Sequence, residues 1–187
     1  MKKLIVLSVL TVLTLVGCQK QPKADFSTDK STYISGETIH LTNTTLNGKS
    51  FKWTMPDGQI LNSESVDYTT SQNNGNTPLL FKLEAFSKNG KKTSEVAKSI
   101  PMSPATGNVT FWQITNSGYS ITTVSLNGLT SDITSEYNSS PTCADSGNAT
   151  FYNLEVGDYS FTATDGTYNW SGTVQITKDG CTSMQLQ

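Results

Sequence analysis

From Ala24 onward the apolar residues recur at every second position over short runs, and no stretch repeats them at helical spacing. A period of two puts alternate side chains on opposite faces of an extended chain, so these runs are half-buried strands. Leu79, Phe81, Leu83 and Ala85 make one such inward face, and Tyr159, Phe161 and Ala163 make another. Asp57-Gly58, Asn89-Gly90, Asn127-Gly128 and Asp165-Gly166 interrupt the runs and supply the positive φ that a tight reversal needs. Turn signals at intervals of about eight to twelve residues are the pattern of packed sheets rather than of helices. An all-β chain built as β-sandwiches is therefore expected.

Ahead of the strands, Leu4 to Val16 is aliphatic apart from Ser8, Thr11 and Thr14, and Lys2 and Lys3 precede it. That is the basic and apolar order of a secretory signal. The run is shorter than the roughly 20 apolar residues of an ideal membrane span and stops at Gly17-Cys18-Gln19-Lys20. Leu15-Val16-Gly17-Cys18 resembles the lipobox of bacterial lipoprotein precursors, with small Gly17 leaving the bond before Cys18 open to a signal peptidase. The resemblance implies removal of residues 1–17 and a mature N-terminus at Cys18 carrying diacylglycerol, usually with a third acyl chain on its amine. Two or more chains anchor a protein stably, so the membrane is an expected partner through the lipid on Cys18. Gln19 is not the aspartate that retains some lipoproteins in an inner membrane. The expected address is thus an outer membrane, on its periplasmic face or at the cell surface. Lys20 is similar to the start of the export signal of Bacteroidetes surface lipoproteins, but the acidic residues that should follow it are missing.

Thirteen lysines stand against fifteen acidic residues, and there is no arginine. Nucleic-acid recognition leans on basic patches and bidentate arginine, so that partner is excluded. Residues 18–104 carry ten of the lysines, whereas residues 105–187 carry Lys178 alone against seven acids, which points to two units with different surfaces. Once Cys18 is lipidated, Cys143 and Cys181 remain. In an exported, oxidising setting an even count reads as a disulfide, with free thiols the alternative.

Residues 18–23 read as a short polar tether and 24–100 as the first sandwich. Thr38–Asn43 sets Ile39 and Leu41 against His40 and Thr42, Phe51, Trp53 and Met55 face inward, and Val96 and Ile100 are expected in the core from the last strand. Ala24-Asp25-Phe26, Gly36-Glu37, Trp53 followed by Asp57-Gly58, and Leu83-Glu84-Ala85 with Asn89-Gly90 resemble a PKD domain, an immunoglobulin-like sandwich common in bacterial surface proteins. The usual aromatic-glycine-aspartate-glycine turn is replaced here by Met55-Pro56-Asp57-Gly58. The alternation favours Trp53 as a core residue over a sugar-stacking platform. Pro101 to Gly107, with two prolines, reads as an extended linker.

Residues 108–187 read as a second sandwich. Val109 and Phe111 share a face and Trp112 points the other way; the parity slip between Ile121 and Val124 points to a bulge whose position the pattern leaves open. Leu129 to Tyr137 reads as one strand, Ser139 to Asn148 as a polar loop, and Met184 and Leu186 as part of an edge strand. Leu154-Glu155-Val156-Gly157-Asp158-Tyr159 resembles a motif of carboxypeptidase-regulatory and transthyretin-like modules. A Cys143–Cys181 bridge closes a loop of about 37 residues, for which chain entropy predicts roughly 3 to 4 kcal/mol of stabilisation. The expected fold class is two immunoglobulin-like β-sandwiches in tandem after a lipoprotein signal peptide.

No catalytic site is expected. A nucleophile needs a base held within reach, and His40 is the only histidine. Asp57 with Asp67, and Asp158 with Asp165, lie in or beside turns, where aspartate serves the backbone. Asp57 and Asp67 lack the dense acidic spacing of a calcium loop, so neither metal nor cofactor is expected. Binding is the stronger class: a glycan or an envelope protein is the expected partner, with Trp112, Tyr119 and Tyr168 the candidate contact aromatics among a set that includes Tyr137 and Tyr152. The expected role is a non-catalytic, lipid-anchored spacer, assembly or recognition module, or a glycan-binding adhesin or polysaccharide-utilisation accessory protein.

Overall fold

The computed structural model describes residues 19–115, 118 and 121–187. Cys18 and Tyr119 lie outside them. Among the described residues there are strands and turns but no helix, and two hydrophobic cores, one per unit.

In the first unit the strands are β1 (Phe26–Thr28), β2 (Tyr33–Ile34), β3 (Thr38–Asn43), β4 (Ser50–Thr54), β5 (Ile60–Leu61), β6 (Val66–Thr69), β7 (Leu79–Phe86), β8 (Thr93–Ile100) and β9 (Met102–Ser103). One sheet runs β1-β3-β6 and the other β5-β4-β7-β8, all antiparallel. Ile39 and Leu41 of β3 meet Leu79, Phe81 and Leu83 of β7 in the core, while His40 and Thr42 face solvent. Trp53 lies between the sheets, fully buried, edge-on to Phe26 at 5.2 Å, with its Nε1 donating to Ser63 O at 3.1 Å. Gly36, Gly58 and Gly90 take positive φ, where any side chain would be strained. Val96, expected in the core, is only half-buried because β8 is the sheet's outer strand.

A local bond and a long-range pairing complete this unit. Tyr33 is buried, and its hydroxyl donates to Asp29 Oδ1 at 2.5 Å. β2 pairs in parallel with β9, Tyr33 opposite Met102, and Met102 joins the first core. The extended linker expected over 101–107 is therefore shorter. Its start closes the first sandwich, and Thr106 already belongs to the next strand, β10 (Thr106–Ile114). Pro104 and Ala105 alone lie between, and Ala105 O accepts from Val156 N–H at 2.9 Å.

β10 is followed by β11 (Thr122–Leu126), β12 (Leu129–Ile133), β13 (Glu136–Tyr137), β14 (Ala149–Glu155), β15 (Gly157–Thr164), β16 (Asn169–Ile176) and β17 (Cys181–Gln185). One sheet is ordered β12-β11-β15-β16; in the other, β10 carries β13 and β14 and also pairs in parallel with β17. Val109, Phe111, Val124, Leu126, Phe161, Val174 and Ile176 fill the core between them. No bulge accompanies the parity slip near Ile121: β11 pairs both neighbours without a register shift. The parity slipped because Thr122 occupies a core position, fully buried, with its hydroxyl donating to Gln113 Oε1 at 3.2 Å, while Ile121 is exposed before the strand. The register shift lies instead between Gly107 and Val109 of β10, opposite a β14 segment in which Asn153 takes φ 55°. The single strand expected over 129–137 is two strands in different sheets, and Thr134 and Ser135 at the crossing both donate to Gly147 O.

Candidate functional site

β10 puts Val109, Phe111 and Gln113 on the core face, and Asn108, Thr110 and Trp112 on the other. That outer face is also covered. The segment from Ser139 to Asn148 is fixed to it at three points: Ser140 Oγ to Ser183 Oγ at 2.7 Å, the Cys143–Cys181 disulfide with Cα atoms 5.9 Å apart, and the Tyr152 hydroxyl donating to Cys143 O at 2.7 Å. Cys181, Ser183 and Tyr152 all belong to strands flanking β10, so the segment spans them like a strap. Thr110 is fully buried and Trp112 only 6 % exposed. Trp112 therefore corrects the expectation of a ligand-contact ring: on the face of β10 opposite the core it is nonetheless buried. The hydroxyls of Tyr152 and Tyr137 are both tied to the strap, Tyr137 to Ser146 O.

Tyr168 is different, 56 % exposed on the β15–β16 turn. Asp165 builds that turn: its Oδ1 accepts from the backbone N–H groups of Thr167 at 2.8 Å and Tyr168 at 2.6 Å. These bonds hold its carboxyl below the usual aspartate range, Tyr168 N–H contributing most. Tyr168 lies 6.3 Å from the ring of half-buried Trp170, whose Nε1 donates to Gln187 O at 3.0 Å.

A cleft of about 270 Å³ lies on the outer face of the β12-β11-β15-β16 sheet, bordered by Trp170 and not by Tyr168. Antiparallel register lines up two rows across three strands: Ser125, Thr162 and Ser171 in one, Thr123, Thr164 and Asn169 in the other. Neighbouring strands are about 4.8 Å apart, so the rows form a small grid of hydroxyl and amide groups. Thr123 donates to Asp132 Oδ1 at 2.7 Å and Thr164 to Tyr168 O at 2.9 Å. The Ser125, Thr162 and Ser171 hydroxyls make no side-chain bond to another described residue and are open to a ligand. The cleft lining carries no charged residue. An uncharged, hydroxyl-rich ligand suits such a surface, since it can exchange hydrogen bonds with the grid.

The other candidate groups act on the protein's own backbone and neighbours. Asp57 Oδ1 accepts from Gln59 N–H at 2.9 Å, and Asp67 faces His40 across the β3–β6 pair, Nδ1 to Oδ1 2.7 Å. No group of three or more His, Cys, Asp or Glu side chains capable of holding a metal ion occurs among the described residues. The hydrogen bond that protonated His40 donates to Asp67 raises the His40 pKa above its ordinary 6.5, an effect reinforced by the charge of Asp67 itself. A raised histidine value means that the pair adds stability fully below about pH 6.5 and loses it as pH rises through the folded value. An NMR titration of the His40 ring should have its midpoint above 6.5 and fall back in Asp67→Asn. A wild-type midpoint at or below 6.5 contradicts the pairing.

No protein-family profile matches this sequence, and no curated protein matches it. Solved structures do. The TIE protein of Bacillus anthracis aligns with 87 % of this chain at 10 % identity and a TM-score of 0.52, and the chain spans 40 % of that protein's length. The PKD1 domain of Vibrio anguillarum Epp is covered over 98 % of its length by 46 % of this chain, at 14 % identity and a TM-score of 0.38. A carbohydrate-binding module of the β-sandwich superfamily aligns with 77 % of this chain at 16 % identity and a TM-score of 0.44, over 55 % of its own length. At such identities the likeness concerns fold alone. The chain is an all-β protein of immunoglobulin-like sandwiches.

Proposed function

We propose that this chain is a non-catalytic, lipid-anchored module of the bacterial envelope, with the first sandwich as a spacer and the second as its recognition unit. One observation carries the reading. Within the first sandwich the chain enters at one end, where Lys23 pairs with Leu46, and leaves at the other, where β8 ends at Ile100. β8 alone spans roughly 25 Å at about 3.3 Å per residue, so whatever follows it is held off from whatever holds the N-terminus. The lipid on Cys18 and the outer membrane as address belong to this proposal, supported by the lipobox resemblance. Metabolic labelling with a palmitate analogue should tag the full chain and fail to tag Cys18→Ala. An untagged wild-type chain overturns the anchor.

The cleft across β11, β15 and β16 favours a second reading, in which the recognition unit binds glycan. Open hydroxyls in register and a neutral lining match the chemistry of a sugar chain. Affinity electrophoresis through neutral polysaccharides should retard the protein, and Thr162→Val with Ser171→Ala should weaken retention about tenfold, the value of one or two lost contacts. Retention that both substitutions leave unchanged removes the cleft from the reading.

A further inference from the structure

The end of the first sandwich at which the chain enters carries charge that the fold does not use. Asn89 N–H donates to Gln19 Oε1 at 3.4 Å, and Lys92 Nζ donates to Gln19 O. Lys23 and Leu46 exchange backbone bonds of 2.9 and 3.1 Å, and Lys49 N–H donates to Phe86 O at 2.8 Å. These bonds gather the entry segment, the β3–β4 loop and the β7–β8 hairpin at one end. Lys20, Lys23, Lys49, Lys88 and Lys91 are all exposed there, and Leu46 stands among them 61 % exposed.

None of these five lysines has an acidic partner within ion-pair distance among the described residues, whereas Lys30, Lys52, Lys82 and Lys98 of the same unit each have at least one. Of the nearby carboxylates, Asp25 is taken by Lys98 at 2.7 Å, and Glu64 shares a side cavity with Lys49 and Lys52. Like charges gathered within a Debye length repel, and an opposing anionic surface relieves that repulsion. The tether expected over 18–23 adds the second observation. From Gln19 it is packed on the sandwich, so little free chain separates this end from residue 18.

We infer that this lysine-bearing end docks on the anionic phospholipid headgroups of the membrane, with Leu46 entering the interface, and so stands the first sandwich end-on with Ile100 pointing away. The identity of the surface rests on the lipid anchor proposed at Cys18; the charge pattern does not. Each lysine close to such a surface is worth roughly fivefold in affinity.

Residues 18–187 with Cys18→Ser keep both cores and the disulfide, and bind without any acyl chain. In sedimentation with vesicles they should associate with phosphatidylethanolamine–phosphatidylglycerol and not with phosphatidylcholine, and added salt should release them. Lys49→Gln, Lys88→Gln and Lys91→Gln together should weaken association on the order of 100-fold while leaving the urea midpoint unchanged. Equal association with both vesicle types, an unaffected triple variant, or equally tight association with duplex DNA overturns the inference. Because no acyl group takes part, vesicle association alongside failed palmitate labelling separates this inference from the anchor.

Discussion

Removing the Cys143–Cys181 bond is expected to lower the stability of the second sandwich by about 3 to 4 kcal/mol and to leave the first unchanged. The bond joins residues 38 apart in sequence, and its absence enlarges the unfolded ensemble by freeing that loop. The native state has its own stake. The disulfide is the strap's covalent tie, and the side-chain ties at Ser140, Cys143 O and Ser146 O are single hydrogen bonds worth about 1 kcal/mol each. β17, at the other end of the bond, pairs with β10 alone. Cys143→Ala with Cys181→Ala should therefore lower the melting temperature of one transition by roughly 15 to 25 °C, at about 4–8 °C per kcal/mol for a small domain. Trp112 fluorescence should shift to the red below that transition as water reaches the ring. A change under 1 kcal/mol, or an equal shift of both transitions, is incompatible with a staple confined to the second unit.

Replacing Trp53 by Ala is expected to cost the first sandwich about 3 to 5 kcal/mol. Trp53 is the largest fully buried side chain, it meets Phe26 edge-on, and its indole N–H is satisfied by Ser63 O. Truncation leaves a cavity between the sheets and an unpaired carbonyl beside it. Trp53→Phe keeps most of the apolar volume and loses the hydrogen bond, so it should cost distinctly less. Chemical unfolding followed by circular dichroism separates the cases: the first unit's transition should move and the disulfide-linked unit's should stay. An Ala variant as stable as the parent refutes a core position for this ring and reopens it as a contact surface.

What was legible in the sequence follows the range of each interaction. The inward faces of β3, β7 and β15 are legible because a strand's alternation is set by its own backbone. The Asp57-Gly58, Asn89-Gly90, Asn127-Gly128 and Asp165-Gly166 reversals were equally local, with all four glycines at positive φ. Thr122 misled the parity argument because its suitability for a core position depends on Gln113, which only the β10–β11 packing supplies. The cleft was missed for a similar reason. Ser125, Thr162 and Ser171 are ordinary outward residues on three strands, and only cross-strand register aligns them.

By itself the sequence determined the fold class, the two sandwich cores and the tryptophan at the centre of the first, since these follow from periodicity and turn chemistry within each strand. Tertiary structure alone decided that β9 closes the first sandwich from inside the expected linker, that the segment 129–137 divides between sheets, and that Trp112, on the face of β10 away from the core, is buried. The physical reason is common to all three. A strand has two faces and two edges, its own residues specify which face is apolar, and what covers the other face or pairs with a free edge is supplied by chain that is distant in sequence.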